Sequence, residues 1–148
     1  EILQELLGTC HPMTGIEPDF HCDYGFNISL GKNFYANHNL VILDANKVEF
    51  GDNVFIGPNV SIVTPLHPLK KDERRMYVND KGVLTDREMG KPINIENDVW
   101  ICSNVVICGG VTVGSGAVIG AGSVVTKDIP ENVFAAGNPC KVIKKIDC

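Results

Sequence analysis

Residues 93–126 read INIENDVWICSNVVICGGVTVGSGAVIGAGSVVT, and this stretch decides the fold. Ile95, Ile101, Ile107, Val113, Ile119 and Val125 recur in it at an interval of six. A second phase runs two residues ahead: Ile93, Val99, Val105 and Val111, then the small residues Ala117 and Ser123. A helix buries every third or fourth residue and an ordinary strand every second, so a sustained six marks hexapeptide coils stacked into a parallel β-helix. The aliphatic residues line the interior, and small or polar residues make the turns.

The same phase continues upstream. Phe50, Ile56 and Ile62 follow Val48, Val54 and Val60, and Leu30, Ala36 and Ile42 keep the interval further back. Gly51 and Gly57 stand where a tight turn favours a residue without a Cβ. From Ile42 to Phe50 the step is eight, so two residues are inserted near Asp44 to Asn46 and a small outward bulge is expected there. Between Ile62 and Ile95 the period fails. The segment HPLKKDERRMYVNDKGVLTDREMGKP is charged and irregular, which predicts an excursion loop over about 64–92. Loops of that length are commonly functional.

The chain has 148 residues, 44% hydrophobic and 21% charged, enough to bury a core. A net charge of −5 argues against nucleic acid as a partner, and no apolar run is long enough to span a membrane. Residues 1–12 read as the end of a helical segment stopped by Gly8 and continuing upstream, with 13–148 as the β-helix domain. The N-terminal stretch does not read as a signal peptide, and a cytoplasmic location is expected. Cys10, Cys22, Cys102, Cys108, Cys140 and Cys148 contain no C-x-x-C, so reduced structural thiols are expected in place of disulfides or a metal site.

A triangular β-helix is filled with aliphatic side chains, so its chemistry must protrude or lie where neighbouring prisms meet. Flat walls pack around a threefold axis, which predicts a homotrimer with ligand clefts between subunits. His67 sits where the period stops, braced by Pro65 and Pro68. An imidazole there suits general-base work; the alternative from spacing alone is a loop histidine with no task. Trp100 should point outward by phase, as an interface anchor or a stacking surface for a ligand. Lys127, Lys141 and Lys144 gather near the C-terminus, as a phosphate site or as a solvated end.

Five stretches carry a resemblance: DFHCDYGFNI (19–28), NFYANHN (33–39), LHPL (66–69), GKPINIENDVWI (90–101) and AGSVVTKDIPENVFAAGNPCKVIK (121–144). In this order the chain, from about Gly15 to Lys145, resembles the hexapeptide-repeat O-acetyltransferases of the maltose and galactoside group. The resemblance implies an all-β, left-handed parallel β-helix with an excursion loop and short terminal helical segments. It also implies direct transfer of an acetyl group from acetyl-CoA to a sugar hydroxyl, without an acyl-enzyme. By position, His67 matches the catalytic base and Asn37 the residue that binds acceptor and stabilises the transition state, the usual oxyanion logic. Asp23 matches an acceptor-binding position, and Asp44 is a candidate for another, although it is followed by Ala45 where a second carboxylate is usual. Ser103, Ala121, Thr126 and Lys127 match acetyl-CoA contacts, Lys141 and Lys144 the basic residues near its phosphates, and Trp100 the flank of the pantetheine channel. No metal is implied.

Two departures from the family pattern stand out. Lysines replace the usual arginines at the cofactor end, keeping charge but losing the bidentate fork. The excursion beside His67 is longer than is usual in sugar acetyltransferases, which keeps an antibiotic or serine acceptor open. A β-helix metalloenzyme would need several histidine ligands, and His21, His38 and His67 show no short ligand spacing. A non-enzymatic trimeric scaffold is the remaining alternative.

Overall fold

Each hexad forms a strand of a few residues and then a corner, so consecutive strands fall on different walls of a prism. The computed structural model describes residues 2–147. Its first wall stacks Ile28–Ser29, Val48–Phe50, Ile93–Ile95 and Thr112–Val113. The second stacks Gly15–Ile16, Tyr35–Ala36, Phe55–Ile56, Trp100–Ile101, Val118–Ile119 and Val133–Ala136, and is closed by the antiparallel strand Lys141–Lys145. The third stacks Phe20–Cys22, Leu40–Leu43, Ser61–Val63, Val106–Cys108 and Val124–Val125. Neighbouring coils pair in parallel and in register, as in Ile56 with Ile101 and Ile101 with Ile119.

That register piles like residues on like. Ile56, Ile62, Ile95, Ile101, Ile107, Ile119 and Val125 all belong to one buried core, together with Val54, Val60, Val99, Val105 and Ala117. Both phases read from the sequence are therefore interior. Full burial of one such side chain stabilises the fold by about 1.5–3 kcal/mol, which a β-helix needs because its strands are too short to be stable alone.

The corners turn through left-handed backbone. Asn33, Asn39, Asn53, Asn59, Asp98, Asn104 and Asn132 all have φ between 52° and 63°. Asparagine tolerates this region better than other residues with a Cβ. Gly51 and Gly57 are not at those positive-φ positions, which corrects the expected reason for them. A Cβ on Gly51 would lie 2.3 Å from Asn97 Oδ1 and 2.7 Å from Asn97 N, and one on Gly57 would lie 2.9 Å from Cys102 C. These glycines let adjacent coils approach closely.

Two further expectations are revised. The inserted residues do not simply bulge outward, because Asp44 is completely buried. The excursion is also more ordered than an irregular loop. Pro65–Leu66 pairs antiparallel with Met89–Gly90 at its base, and between them lie a short helix, Lys71–Arg74, and a hairpin of Tyr77–Val78 with Leu84–Thr85. Strands of two residues are too short to show a period of two in sequence. At the N-terminus Ile2–Leu6 is helical. Among the described residues no helix is long and apolar enough to cross a membrane.

Asn104→Gly should leave stability within about 0.5 kcal/mol, whereas Asn104→Ala should lose about 1–2 kcal/mol at its left-handed corner. Gly51→Ala should lose about 1–3 kcal/mol through overpacking. Urea denaturation of the three variants checks the assignment of φ to the asparagines and of contact to the glycine.

Candidate active site

Corners, not walls, carry the polar chemistry. Leaving the third wall, the chain makes the turn 23–27, the insertion 44–47, the excursion 64–92 and the turn 126–128 at one edge of the prism. Asp23, Asp44, His67, Thr126 and Lys127 therefore share that edge. Entering the third wall, it makes 37–39, 102–104 and 120–122 at another edge, which carries Asn37, Ser103 and Ala121. The four-residue strand Leu40–Leu43, about 13 Å long at strand rise, separates Asn37 from the edge that bears His67. One chain does not bring the two expected catalytic residues together.

His67 is exposed, and its Nδ1 lies 3.3 Å from Asp86 Oδ2. Glu88 joins them, with donor atoms of all three within 4.8 Å of one another. Among the described residues this is the only such group compact enough to hold a cation, and it has one imidazole. His38 is elsewhere, its Nδ1 against the Pro18 carbonyl. Sequence reading missed Asp86 and Glu88. The available signal was topological: an excursion that leaves and rejoins the prism at one corner must bring its two stems side by side.

Asp44, a candidate for a second acceptor contact, turns its carboxylate inward and accepts backbone N–H bonds from Asp23 (3.1 Å), Tyr24 (2.9 Å), Gly25 (2.8 Å) and Asn27 (3.4 Å). The Asn27 side chain donates to the Asp44 carbonyl at 2.8 Å. With its oxygens so engaged and no exposure to solvent, Asp44 shapes the turn that presents Asp23 to solvent. The insertion is tied to the excursion as well. Asn46 N donates to Thr64 Oγ1 at 3.0 Å, and Asn46 Nδ2 to the Gly90 carbonyl at 2.8 Å.

On the other edge, Asn37 Oδ1 accepts the His38 backbone N–H at 2.7 Å, which leaves the Nδ2 donor for other use. Trp100 projects from the second wall, 53% exposed, in register with the exposed Phe55 and, beyond it, Tyr35. Ser103 is half-buried, and Ala121, Thr126 and Lys127 are exposed. Lys141 and Lys144 lie on the closing strand, opposite Ala136 and Phe134. Cys10, Cys22, Cys102, Cys108 and Cys140 are free thiols; Cys148 lies outside the described residues. Burial pushes the Cys22, Cys102 and Cys140 thiols up, away from the reactive thiolate, and the Asp44 and Asp23 carboxylates add to this at Cys22.

Residues 92–127 match the family model described as bacterial transferase hexapeptide (six repeats). Over 146 residues the chain is 55% identical to the putative acetyltransferase YJL218W of Saccharomyces cerevisiae, covering 99% of this chain and 70% of that protein. A maltose O-acetyltransferase structure from Clostridium difficile 630 superposes with a TM-score of 0.89 at 47% identity, covering 99% of this chain and 74% of that one. The chain belongs to the hexapeptide-repeat acetyltransferases of the galactoside and maltose type. A galactoside acetyltransferase in complex with coenzyme A superposes with a TM-score of 0.86 at 46% identity, covering 99% of this chain and 68% of that one. The fold is accordingly the left-handed β-helix of these enzymes, and the protein is an acetyltransferase.

In this acetyltransferase, Asp44→Ala should lower unfolding free energy by about 3 kcal/mol, because it strands several backbone N–H groups at once. Urea denaturation measures it; a loss below about 1 kcal/mol would remove Asp44 from its organising role.

Proposed function

We propose that the protein transfers an acetyl group from acetyl-CoA directly to a sugar hydroxyl, in clefts between the subunits of a homotrimer. The observation that carries this reading is the division of the site between two prism edges. His67 and Asp23 lie on one, Asn37, Ser103 and Ala121 on the other, and a cleft bounded by unlike edges of two copies unites them. Acetyl-CoA fits such a cleft. Trp100 flanks its pantetheine, and Ser103, Ala121, Thr126 and Lys127 line it with small or polar side chains. Lys141 and Lys144 supply positive charge for phosphates.

The acceptor hydroxyl, held by Asp23, gives its proton to His67 as its oxygen attacks the thioester carbonyl carbon. The carbonyl oxygen gains negative charge, which Asn37 Nδ2–H stabilises. The C–S bond then breaks, and protonated His67 returns the proton to the departing thiolate. Alignment of hydroxyl and thioester removes much of the entropic barrier, and the base contributes about 10²–10⁴ in rate. None of the thiols is needed as a nucleophile.

Thiol release from acetyl-CoA, measured with galactosides, maltose, glucose, serine and chloramphenicol, tests the reading. One sugar class should support turnover, and His67→Ala should lower it at least about a hundredfold. His67→Ala and Asn37→Ala, each weak alone, should regain activity when co-expressed, because mixed trimers contain clefts with both native residues. Failure to complement, with both variants trimeric, would place the whole site within one chain.

A further inference from the structure

The excursion leaves and rejoins the prism at one corner, and its path sets two of its segments side by side. Pro65–Leu66 and Met89–Gly90 form an antiparallel stem with Leu66 opposite Met89. His67 lies just beyond one arm of that stem, and Asp86 and Glu88 just before the other. The intervening Arg87 places its guanidinium over the Tyr77 ring, 5.4 Å from its centre, and so is anchored on the hairpin. Asp86 Oδ2 is left facing His67 Nδ1 at 3.3 Å.

An imidazole has two nitrogens, and the hydrogen bond made by one decides which carries the lone pair. A carboxylate accepts only, so a bond drawn from this 3.3 Å approach puts the proton on Nδ1 and leaves the lone pair on Nε2. Such a bond also holds the ring plane of a side chain otherwise exposed enough to rotate. We propose that Asp86 is a positioning residue for acetyl transfer: it holds His67 in the tautomer and orientation that turn Nε2 towards the acceptor hydroxyl. This rests on His67 being the base. Asp86 does not touch substrate; the Glu88 carboxylate lies within 4.8 Å of the pair, but among the described residues Asp86 alone makes the ion-pair contact with His67.

The test uses the full chain, with acetyl-CoA and whichever of maltose, glucose or a galactoside turns over. Asp86→Asn should lower kcat about a hundredfold with KM for acetyl-CoA unchanged, Asp86→Glu should recover much of it, and Glu88→Gln should stay near wild type. Nitrogen-15 spectra of the neutral His67 ring provide a readout that needs no acceptor. Wild type should show Nδ1 protonated, and Asp86→Ala a mixture of tautomers. If Asp86→Asn keeps wild-type kcat while His67→Ala is inactive, or if the ring tautomer is the same in wild type and Asp86→Ala, the positioning role is wrong. If His67→Ala itself turns over normally, the general-base reading falls first.

Discussion

The strands of this prism satisfy their backbone through the coils above and below. The Asn37 N–H reaches the Ile56 carbonyl at 2.8 Å, Gly57 the Ile101 carbonyl at 2.8 Å and Cys102 the Ile119 carbonyl at 2.9 Å. Such parallel stacking permits no slip, because a shift of one residue would turn the aliphatic stripe outward. Register then dictates everything else. It puts left-handed turns at fixed positions, demands glycine where coils crowd, and confines insertions to corners.

The proposed site is built on the corners that this register leaves free. The period breaks on one edge at the turn 23–27, which is as long as its counterpart in the next coil, and at two neighbouring insertions, 44–47 and 64–92. They are bound to one another through Asn46, Thr64 and Gly90. Asp44 then fixes the neighbouring turn from inside with its carboxylate. Asp23 and His67 thus stand on a frame held by buried hydrogen bonds, although both are exposed. Such support is how a site on loops acquires the precision that catalysis requires.

Much of this was legible in the sequence, for a physical reason. A six-residue period has few structural solutions, so Ile95, Ile101, Ile107, Val113, Ile119 and Val125 declared both the fold and the interior. Failure of the period after Ile62 located the excursion and singled out His67. What could not be read was direction. Asp44 looked like a surface carboxylate because acidic residues are seldom fully buried, and only the backbone N–H groups gathered around it make its burial possible. The glycines at 51 and 57 were attributed to turns because contact between coils is invisible in a linear chain. The His67 to Asp86 pair depends on how the excursion folds back, which two-residue strands do not announce.

Division of the site between unlike edges of two copies is the central claim, and a crystal structure of the protein with coenzyme A tests it most directly. The thiol should lie in a cleft between subunits, with His67 of one copy and Asn37 of its neighbour on either side. Coenzyme A bound wholly within one chain, or with its thiol remote from His67, would contradict it.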